Sequence, residues 1–337
     1  MASRIKDVAR LAGVSSATVS RVLANKPHVR DSVKNRVLAA VNELGYEPNR
    51  VARSLRVQRS SIIGLIISDV QNSFFNTVVR AIEDSFYEHG YAVFLCNSDE
   101  DPEKERMYLN LLKAERVAGV ILTPTGRAAE TLKSLVQADI PVVVIDRAVP
   151  GLELDTVTTN NQEAAYTLVK HLIKQGHRKI AGIFPDLSIT TGLERYEGYS
   201  SALKEAGLPV NPALIKTGKP VTADGYTLAR ELLKEQPDAI FSATKLMTLG
   251  VLRAVQEKGL SIPEDITLAA FDKLDWMPFQ PQMSFAEQPT YDLGKTAAQL
   301  LLDRFIHPDY AGRKRTLKTK LHFDVKEADM VLTAQGP

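Results

Sequence analysis

The chain has 337 residues, of which 44% are hydrophobic and 24% charged, and this length predicts two or three domains at roughly 100–200 residues each. A single cysteine, Cys96, excludes a disulfide framework within the chain and favours a reducing compartment. No apolar run approaches the roughly 18 residues of a membrane span, and the sequence starts without an apolar signal core, so we expect a cytoplasmic protein.

The formal net charge of +2 conceals an uneven distribution along the chain. Residues 1–60 contain 12 Lys/Arg and 4 Asp/Glu, a balance of +8, which leaves a balance of −6 for the rest. A small basic head on a mildly acidic body predicts that the head contacts a polyanion such as nucleic acid. The alternative, a solvated basic arm, would lack the helical periodicity described next.

The segment "GVSSATVSRVLANKPHV" predicts a tight turn followed by a short helix. Gly13 suits the turn, and the Ser15 side chain can cap the start of the helix. Val19, Val22 and Leu23 then lie on one face at helical spacing. The other face has small hydrogen-bonding side chains and one arginine, a shape that fits a groove.

Two more helices complete the head. The pattern predicts one helix before the turn and another over about residues 31–44, so residues 1–47 form a helix-turn-helix domain. We expect its second helix to lie in the major groove of double-stranded DNA, contacting base edges and phosphates. The candidate contacts on this helix are Ser15, Ser16, Ala17, Ser20 and Arg21.

A basic linker over residues 48–60 follows the head. It starts near Pro48 and contains a helix-compatible stretch over residues 49–56. From residue 61 onward, short β-rich runs such as "SIIGLIIS" alternate with helical stretches such as 75–89, in two successive sets. This alternation predicts an α/β body of two doubly wound parallel-sheet lobes, with ligands bound beyond the carboxyl ends of the strands.

Motifs along nearly the whole chain resemble, in order, those of the lactose-repressor/galactose-repressor (LacI/GalR) family. The head matches in "IKDVARLAGVSSATVSRVL" and the linker in "YEPNRVARSLR". The body matches in "IGLIISDVQNSFF", "VIDRAVPG", "GHRKIAGI", "RYEGY", "LAAFDKLDW" and "EQPTYDLGK". The resemblance implies a homodimeric, effector-controlled transcriptional repressor that binds a pseudo-palindromic operator and has a periplasmic-binding-protein-like body.

The resemblance also implies a role for the linker. Its hinge helix would order on DNA, and Leu55 would wedge between base pairs of the central minor groove, so that DNA deformability contributes to site selection. A hydrophobic contact between two hinge helices is the alternative role for Leu55. The hinge candidates are Asn49, Arg50, Ala52 and Leu55.

The family pattern divides the body, residues 61–337, into two lobes. The first lobe is expected to contain residues 61–160 and 290–318, and the second to contain residues 161–289 and 319–337. An effector would bind between them.

Side chains at predicted strand ends form the candidate effector site. Aromatic rings would cover the apolar face of a ligand, and carboxylates, amides and arginines would bind its hydroxyls, a chemistry that suits a polyol. Arg195 in "RYEGY" matches the effector-clamping arginine of the family, whereas a ligand role and a structural role are about equally expected for Asp69 and Arg147. The candidates are Asn72, Phe74, Phe75, Asp146, Arg147, Thr191, Arg195, Thr244, Lys245, Asp272 and Gln288.

Lysines replace acidic residues of the family pattern at three positions: Lys219, Lys245 and Lys273. We expect all three around the cleft rim of the second lobe, where they either reflect drift on exposed loops or favour an anionic effector. A sugar acid then ranks first and a sugar phosphate second, since no glycine-rich phosphate cradle is visible. A purine ranks third because Pro220 replaces an aromatic lid, and a neutral sugar or a phosphoprotein corepressor are further alternatives.

Signatures of catalysis are missing from the sequence. There is no G-x-G-x-x-G, G-x-x-x-x-G-K-[ST], G-x-S-x-G or H-E-x-x-H motif, and the six histidines are scattered. The acidic run "DEDPEKE" (99–105) has a lysine where a calcium loop needs glycine, so we interpret it as a solvated loop whose acids favour the next helix. We expect no enzyme, cofactor or metal, and a carbohydrate-active enzyme or a secreted binding protein is the remote alternative.

Overall fold

The computed structural model of this chain describes four stretches: residues 4–23, 29–46, 60–274 and 282–324. The hinge candidates lie outside the described residues and stay predictions: Asn49, Arg50, Ala52 and Leu55. The chain divides into two compact units, residues 1–60 and 61–337. Along the described stretches, no helix is long and apolar enough to cross a membrane.

The N-terminal unit contains three helices in its described part: α1 (Ile5–Ala12), α2 (Ser16–Leu23) and α3 (Asp31–Glu43). The predicted turn and cap between α1 and α2 are confirmed. Gly13 has a left-handed φ of 63°, which glycine adopts without the steric cost of a side chain. The backbone N–H of Thr18 donates to Ser15 Oγ at 3.1 Å, and this bond satisfies one of the N–H groups left open at the start of α2.

A small apolar core holds these helices together. Val8, Val19 and Val37, one from each helix, are fully buried, and Val22 and Ala40 pack with them. Because the valines of α2 pack in this core, the opposite face of α2 is exposed to solvent.

The second unit alternates strands with helices. Eight α-helices belong to its described part: α4 (Ser73–Tyr87), α5 (Pro102–Ala114), α6 (Ala129–Val136), α7 (Asn161–Lys174), α8 (Thr190–Glu205), α9 (Thr222–Leu232), α10 (Lys245–Glu257) and α11 (Thr290–Ile306). The strands found there are β1 (Ile62–Ile67), β2 (Ala92–Asn97), β3 (Gly119–Leu122), β4 (Val142–Ile145), β5 (Asp155–Thr159), β6 (Ile180–Pro185), β7 (Ile215–Gly218), β8 (Ala239–Ser242), β9 (Thr267–Phe271), β10 (Ser284–Glu287), β11 (Lys314–Leu317) and β12 (Lys320–His322).

These strands form two six-stranded sheets of equivalent order. The first sheet runs β11-β5-β4-β3-β1-β2, with every pair parallel, and the second runs β12-β10-β9-β8-β6-β7, with β12 antiparallel to β10. Central strands such as "VVVI" of β4 are buried throughout, as expected for a sheet covered on both faces. The predicted fold, two doubly wound α/β lobes, is confirmed.

The chain passes between the two sheets three times, after β5, after β10 and after β11. The three passages lie side by side. The backbone N–H of Asn160 donates to Leu317 O at 3.1 Å, and that of Thr319 donates to Asn160 Oδ1 at 2.8 Å. Thr159 Oγ1 donates to Gln288 Oε1 at 3.2 Å, so hydrogen bonds connect all three passages.

One backbone feature occurs at the same point of both lobes. Asp146 follows β4 and Asp272 follows β9, and each has a φ of 66°, in the left-handed region. Their N–H groups bond to the neighbouring strand, Asp146 to Val157 O at 2.9 Å and Asp272 to Ala286 O at 2.8 Å. Left-handed geometry costs a non-glycine residue on the order of 1–2 kcal/mol and concentrates at functional sites, so this repeated conformation marks the strand ends as a candidate site.

Candidate effector and DNA-binding sites

A cavity of about 1100 Å³ lies between the two lobes and receives side chains from both. All eleven effector candidates line it: Asn72, Phe74, Phe75, Asp146, Arg147, Thr191, Arg195, Thr244, Lys245, Asp272 and Gln288. Asp69 lines it as well. The structure thus brings the candidates together, while their role as ligand contacts stays a prediction.

The guanidinium of Arg195, on α8, lies at the buried floor of this cavity and has fixed partners. Its Nε donates to Asn161 Oδ1 at 2.9 Å, and its two terminal nitrogens donate to Ala243 O at 2.6 Å and to Gln288 Oε1 at 3.3 Å. The guanidinium carbon lies 3.9 Å from the centre of the Phe271 ring. Burial lowers the pKa of Arg195, and the nearby carboxylates oppose that change. The side chain is therefore preorganised before any ligand arrives.

Asp146 and Asp272 contribute carboxylates from the first and second lobe. Asp272 accepts hydrogen bonds from Gln288 Nε2 at 2.8 Å and from the Gln288 backbone N–H at 3.2 Å. Burial raises the pKa of both carboxyl groups, and the positive charge of Arg195 counteracts that rise. Carboxylates held in this way can accept hydrogen bonds from ligand hydroxyls.

Arg147 follows Asp146 and is paired within the protein. Its terminal nitrogens donate to the two Glu100 oxygens at 2.7 and 2.5 Å, and one of them also donates to Pro124 O at 3.1 Å. Burial lowers the pKa of Arg147, but the hydrogen bonds to Glu100 outweigh it, and the pKa lies above its usual range.

The acidic run over residues 99–105 is only partly a solvated loop. Asp101 caps α5 by accepting from the Glu103 N–H at 2.8 Å, in agreement with the prediction that acids of this run favour the start of the next helix. Glu100 and Glu105 contradict the prediction. Glu100 binds Arg147, and the buried Glu105 accepts from the Thr125 N–H and hydroxyl at 2.7 and 3.0 Å, while burial raises its pKa.

An aromatic pair forms an apolar part of the cavity wall. The rings of Phe74 and Phe75 meet edge to face with centroids 5.0 Å apart, and both belong to the core of the first lobe. Their helix α4 is positioned by Asn72, whose Oδ1 accepts from the Phe74 N–H at 3.1 Å. Both side chains therefore combine a core role with exposure to the cavity.

The three lysines do not share one environment. Lys245 is buried in the cavity, and its positive charge opposes the rise that burial causes in the pKa of Asp272. Thr244 caps the helix of Lys245 by accepting from the Met247 N–H at 3.3 Å. Lys219 is exposed on the cavity rim. The expectation that all three lie at the rim fits Lys219 alone, because Lys245 is buried inside the cavity and the exposed Lys273 does not line it.

The sequence-predicted DNA-reading face lies on the outer side of α2. Ala17 and Arg21 are exposed, Ser16 and Ser20 are half-buried, and the exposed Ser15 keeps its Oγ within 3.0 Å of Thr18 Oγ1. These side chains are small and Arg21 is the long cation among them. In the parts of the chain that the structure describes, no group of three or more His, Cys, Asp or Glu could hold a metal ion.

Two family models match the chain. Residues 4–49 match the model described as bacterial regulatory proteins of the lacI family, and residues 60–324 match the periplasmic binding proteins and sugar binding domain of the LacI family. The HTH-type transcriptional repressor PurR of Haemophilus influenzae strain PittEE is 36% identical over 309 residues, which cover 90% of this chain and 92% of that protein.

Solved structures agree with these matches. A lac repressor dimer bound to operator and the anti-inducer ONPF is 27% identical, with a TM-score of 0.83, over 95% of this chain and 98% of that chain. A transcriptional regulator CelR–cellobiose complex is 29% identical, with a TM-score of 0.72, over the same shares. These relatives are transcriptional regulators and not enzymes. The chain belongs to the LacI family and is a DNA-binding transcriptional repressor with an effector-binding domain.

Proposed function

We propose that this repressor responds to a small, neutral, polyhydroxylated ligand, most simply a sugar, bound between its two lobes. The observation that carries the proposal is that every buried cation of the cavity already faces a carboxylate of the protein. Hydroxyl groups suit such a lining because they donate to carboxylates and accept from guanidinium groups.

The pairing of charges argues against a sugar acid as the first candidate. Arg147 is hydrogen-bonded to Glu100. The positive charge of Arg195 is attracted to the carboxylates of Asp146 and Asp272, and that of Lys245 is attracted to the carboxylate of Asp272. Among all lining residues, eight are acidic and six are basic. A ligand carboxylate in the buried part of the cavity would therefore lose its hydration and gain no unopposed cation, which is unfavourable. This reverses the sequence-based ranking, in which the three lysines favoured an acid.

The comparisons support a sugar in part. The matched family model is described as a sugar binding domain, and one similar regulator was solved with cellobiose. The PurR relatives point instead to a purine, which would stack on Phe74. A sugar acid is kept as the second candidate because Lys219 is exposed on the rim, where it could meet a carboxylate at the outer end of a ligand.

For the response to DNA we propose a dimer on a pseudo-palindromic operator, with α2 in the major groove and Leu55 wedged in the minor groove. The repressor has two states that differ in the angle between the lobes. A ligand shifts the equilibrium between these states only as far as its affinities for them differ. Operator titrations with and without ligand give the direction of the response.

Calorimetric titration of the full chain tests the effector class. Glucose and glucuronate, galactose and galacturonate, and ribose are titrated beside the purine bases guanine and hypoxanthine. We expect a neutral sugar to bind at least about tenfold more tightly than its matched acid, and Asp272→Asn to weaken that binding. Tighter binding of an acid or of a purine would overturn the proposal.

A further inference from the structure

We propose that Glu100 determines the selectivity of the cavity for neutral ligands, because it occupies the guanidinium of Arg147 from within the protein. The inference rests on the proposed neutral effector and identifies a residue that excludes carboxylates. It assigns a function to an acidic side chain outside the sequence-predicted site.

Arg147 and Glu100 form the same bidentate hydrogen-bonded pair that a ligand carboxylate would form with Arg147. Both terminal nitrogens of Arg147 donate to separate oxygens of Glu100, at 2.7 and 2.5 Å. An arginine has five N–H donors on two bidentate edges, and Glu100 occupies the edge formed by the two terminal nitrogens, while Asp146 Oδ2 lies 3.7 Å from Nε at the other edge. A ligand carboxylate can therefore bridge the two terminal nitrogens only after Glu100 has left them.

The backbone holds Glu100 in position for this contact. Asp99 and Glu100 have consecutive left-handed φ values of 53° and 56°, an unfavourable conformation for residues with side chains. The Glu100 N–H donates to Ser68 O at 3.0 Å, at the end of β1, and the next residue, Asp101, caps α5. Glu100 is thus fixed between a strand end and a helix start, and it lines the cavity together with Arg147.

Burial distinguishes this pair from the surface pairs of the same segment. The Arg147 and Glu100 side chains are 9% and 26% exposed, whereas those of Arg106 and Glu103, which pair on α5, are 60% and 73% exposed. Exposed pairs contribute little because water screens them, but a partly buried pair keeps most of its attraction. The contact with Glu100 is therefore costly for a ligand to displace.

Further carboxylates near Arg147 act in the same direction. Asp146 Oδ2 lies 3.7 Å from Arg147 Nε, and Glu105 contributes additional negative potential. Glu100, Asp146 and Glu105 outnumber Arg147 and Arg195, the two buried arginines near them. A ligand carboxylate in this part of the cavity meets repulsion, whereas a hydroxyl meets hydrogen-bond acceptors.

The test compares Glu100→Gln with the matched control Glu103→Gln in the full chain. Glutamine keeps the length of the side chain and one acceptor oxygen but removes the charge. We titrate galactose and galacturonate, and glucose and glucuronate, into both variants and the wild type. We expect Glu100→Gln to shift the ratio of acid to neutral affinity toward the acid by about tenfold, and Glu103→Gln to leave the ratio at the wild-type value.

A second readout does not depend on the identity of the sugar. The melting temperature is measured with sodium acetate against sodium chloride at equal ionic strength. We expect acetate to stabilise Glu100→Gln more than the wild type, and the double variant Glu100→Gln/Arg147→Gln to lose that gain. An unchanged acid-to-neutral ratio together with no acetate response in Glu100→Gln would overturn the inference.

These readouts separate the two proposals. If the wild type binds an acid more tightly than its neutral partner, the neutral effector is wrong, whatever Glu100→Gln does. If the wild type prefers the neutral sugar and Glu100→Gln changes neither readout, the effector class stands and the role of Glu100 is wrong.

Discussion

Arg195 Nε donates a hydrogen bond to Asn161 Oδ1 at 2.9 Å, and this bond connects the ligand cavity to the first passage of the chain between the lobes. Asn161 is buried and lies outside the cavity lining. Its Nδ2 donates to Glu194 Oε2 at 2.8 Å, which fixes the orientation of the amide. Asn161 therefore acts as a positioning residue for Arg195.

Replacing Asn161 tests this role. We expect Asn161→Ala to weaken effector binding by about tenfold, because a buried hydrogen bond to a charged group is worth on the order of 1.5–3 kcal/mol. Calorimetry measures the affinity, and Asn211→Ala is the control, since Asn211 caps an exposed turn by accepting from the Ala213 N–H at 3.0 Å. Equal affinities for wild type and Asn161→Ala would contradict the role.

The close approach of α7 and α8 gives a second prediction. A Cβ on Gly198 would lie 2.2 Å from Gln162 O and 2.8 Å from Tyr166 N, so Gly198→Ala forces the two helices apart. We expect a loss of about 1–3 kcal/mol in the free energy of unfolding, together with weaker effector binding, since α8 also holds Arg195. Urea unfolding measures the loss. Ser201→Ala, at an exposed position of α8, should leave both quantities near their wild-type values.

Arg21 gives a prediction for DNA binding. Arg21→Ala should remove sequence-specific operator affinity and leave salt-dependent binding to random DNA largely intact, because base contacts specify and phosphate contacts do not. Fluorescence anisotropy on operator and random duplexes over a salt series measures both. Arg10→Ala, which removes an exposed cation of α1, is the control. An equal loss on both duplexes would assign Arg21 to phosphate contacts alone.

A buried ion cluster predicts acid sensitivity. Asp155 is fully buried and accepts from Arg313 Nε at 3.0 Å and from Arg304 at 2.8 Å. Burial alone would raise the pKa of Asp155, but these hydrogen bonds outweigh it and hold the pKa below its usual range. A depressed carboxyl pKa stabilises the fold above the unfolded value of about 3.9, and this contribution is lost as the pH falls through the folded pKa.

We therefore expect Asp155→Asn to cost about 3–5 kcal/mol of unfolding free energy at pH 7, with a smaller difference from wild type below about pH 4. Urea titrations from pH 7 to pH 3 measure it. The half-buried Asp84, which pairs with the exposed Arg80 at 3.1 Å, supplies the control variant Asp84→Asn. A difference that stays constant over this pH range would contradict the assignment.

Much of this architecture is predictable from sequence, because local patterns determine it. Alternating apolar runs and helical stretches predicted both lobes, and strand ends together with the family resemblance predicted the effector candidates that line the cavity. Helix bounds shifted by one or two residues where a cap was decisive. The predicted helix 75–89 starts at Ser73 because Asn72 caps it.

Contacts between distant parts of the chain were not predictable. Glu100 reaches Arg147 across 47 residues of sequence, and Asn161 reaches Arg195 across 34. Neither acceptor belongs to a motif, and an acidic run has the same composition whether it is solvated or paired. The lysine argument lacked such a contact, since only the fold brings Lys245 close to Asp272.

The three adjacent passages between the lobes have a mechanical consequence. A single connection would allow one lobe to twist and slide against the other, whereas three connections in a row resist both movements. We expect the remaining soft movement to be a rotation about the row of passages that contains Thr159, Gln288 and Thr319. Ligand binding would then change a single angle between the lobes, so its free energy would act on one coordinate of the molecule and not on many.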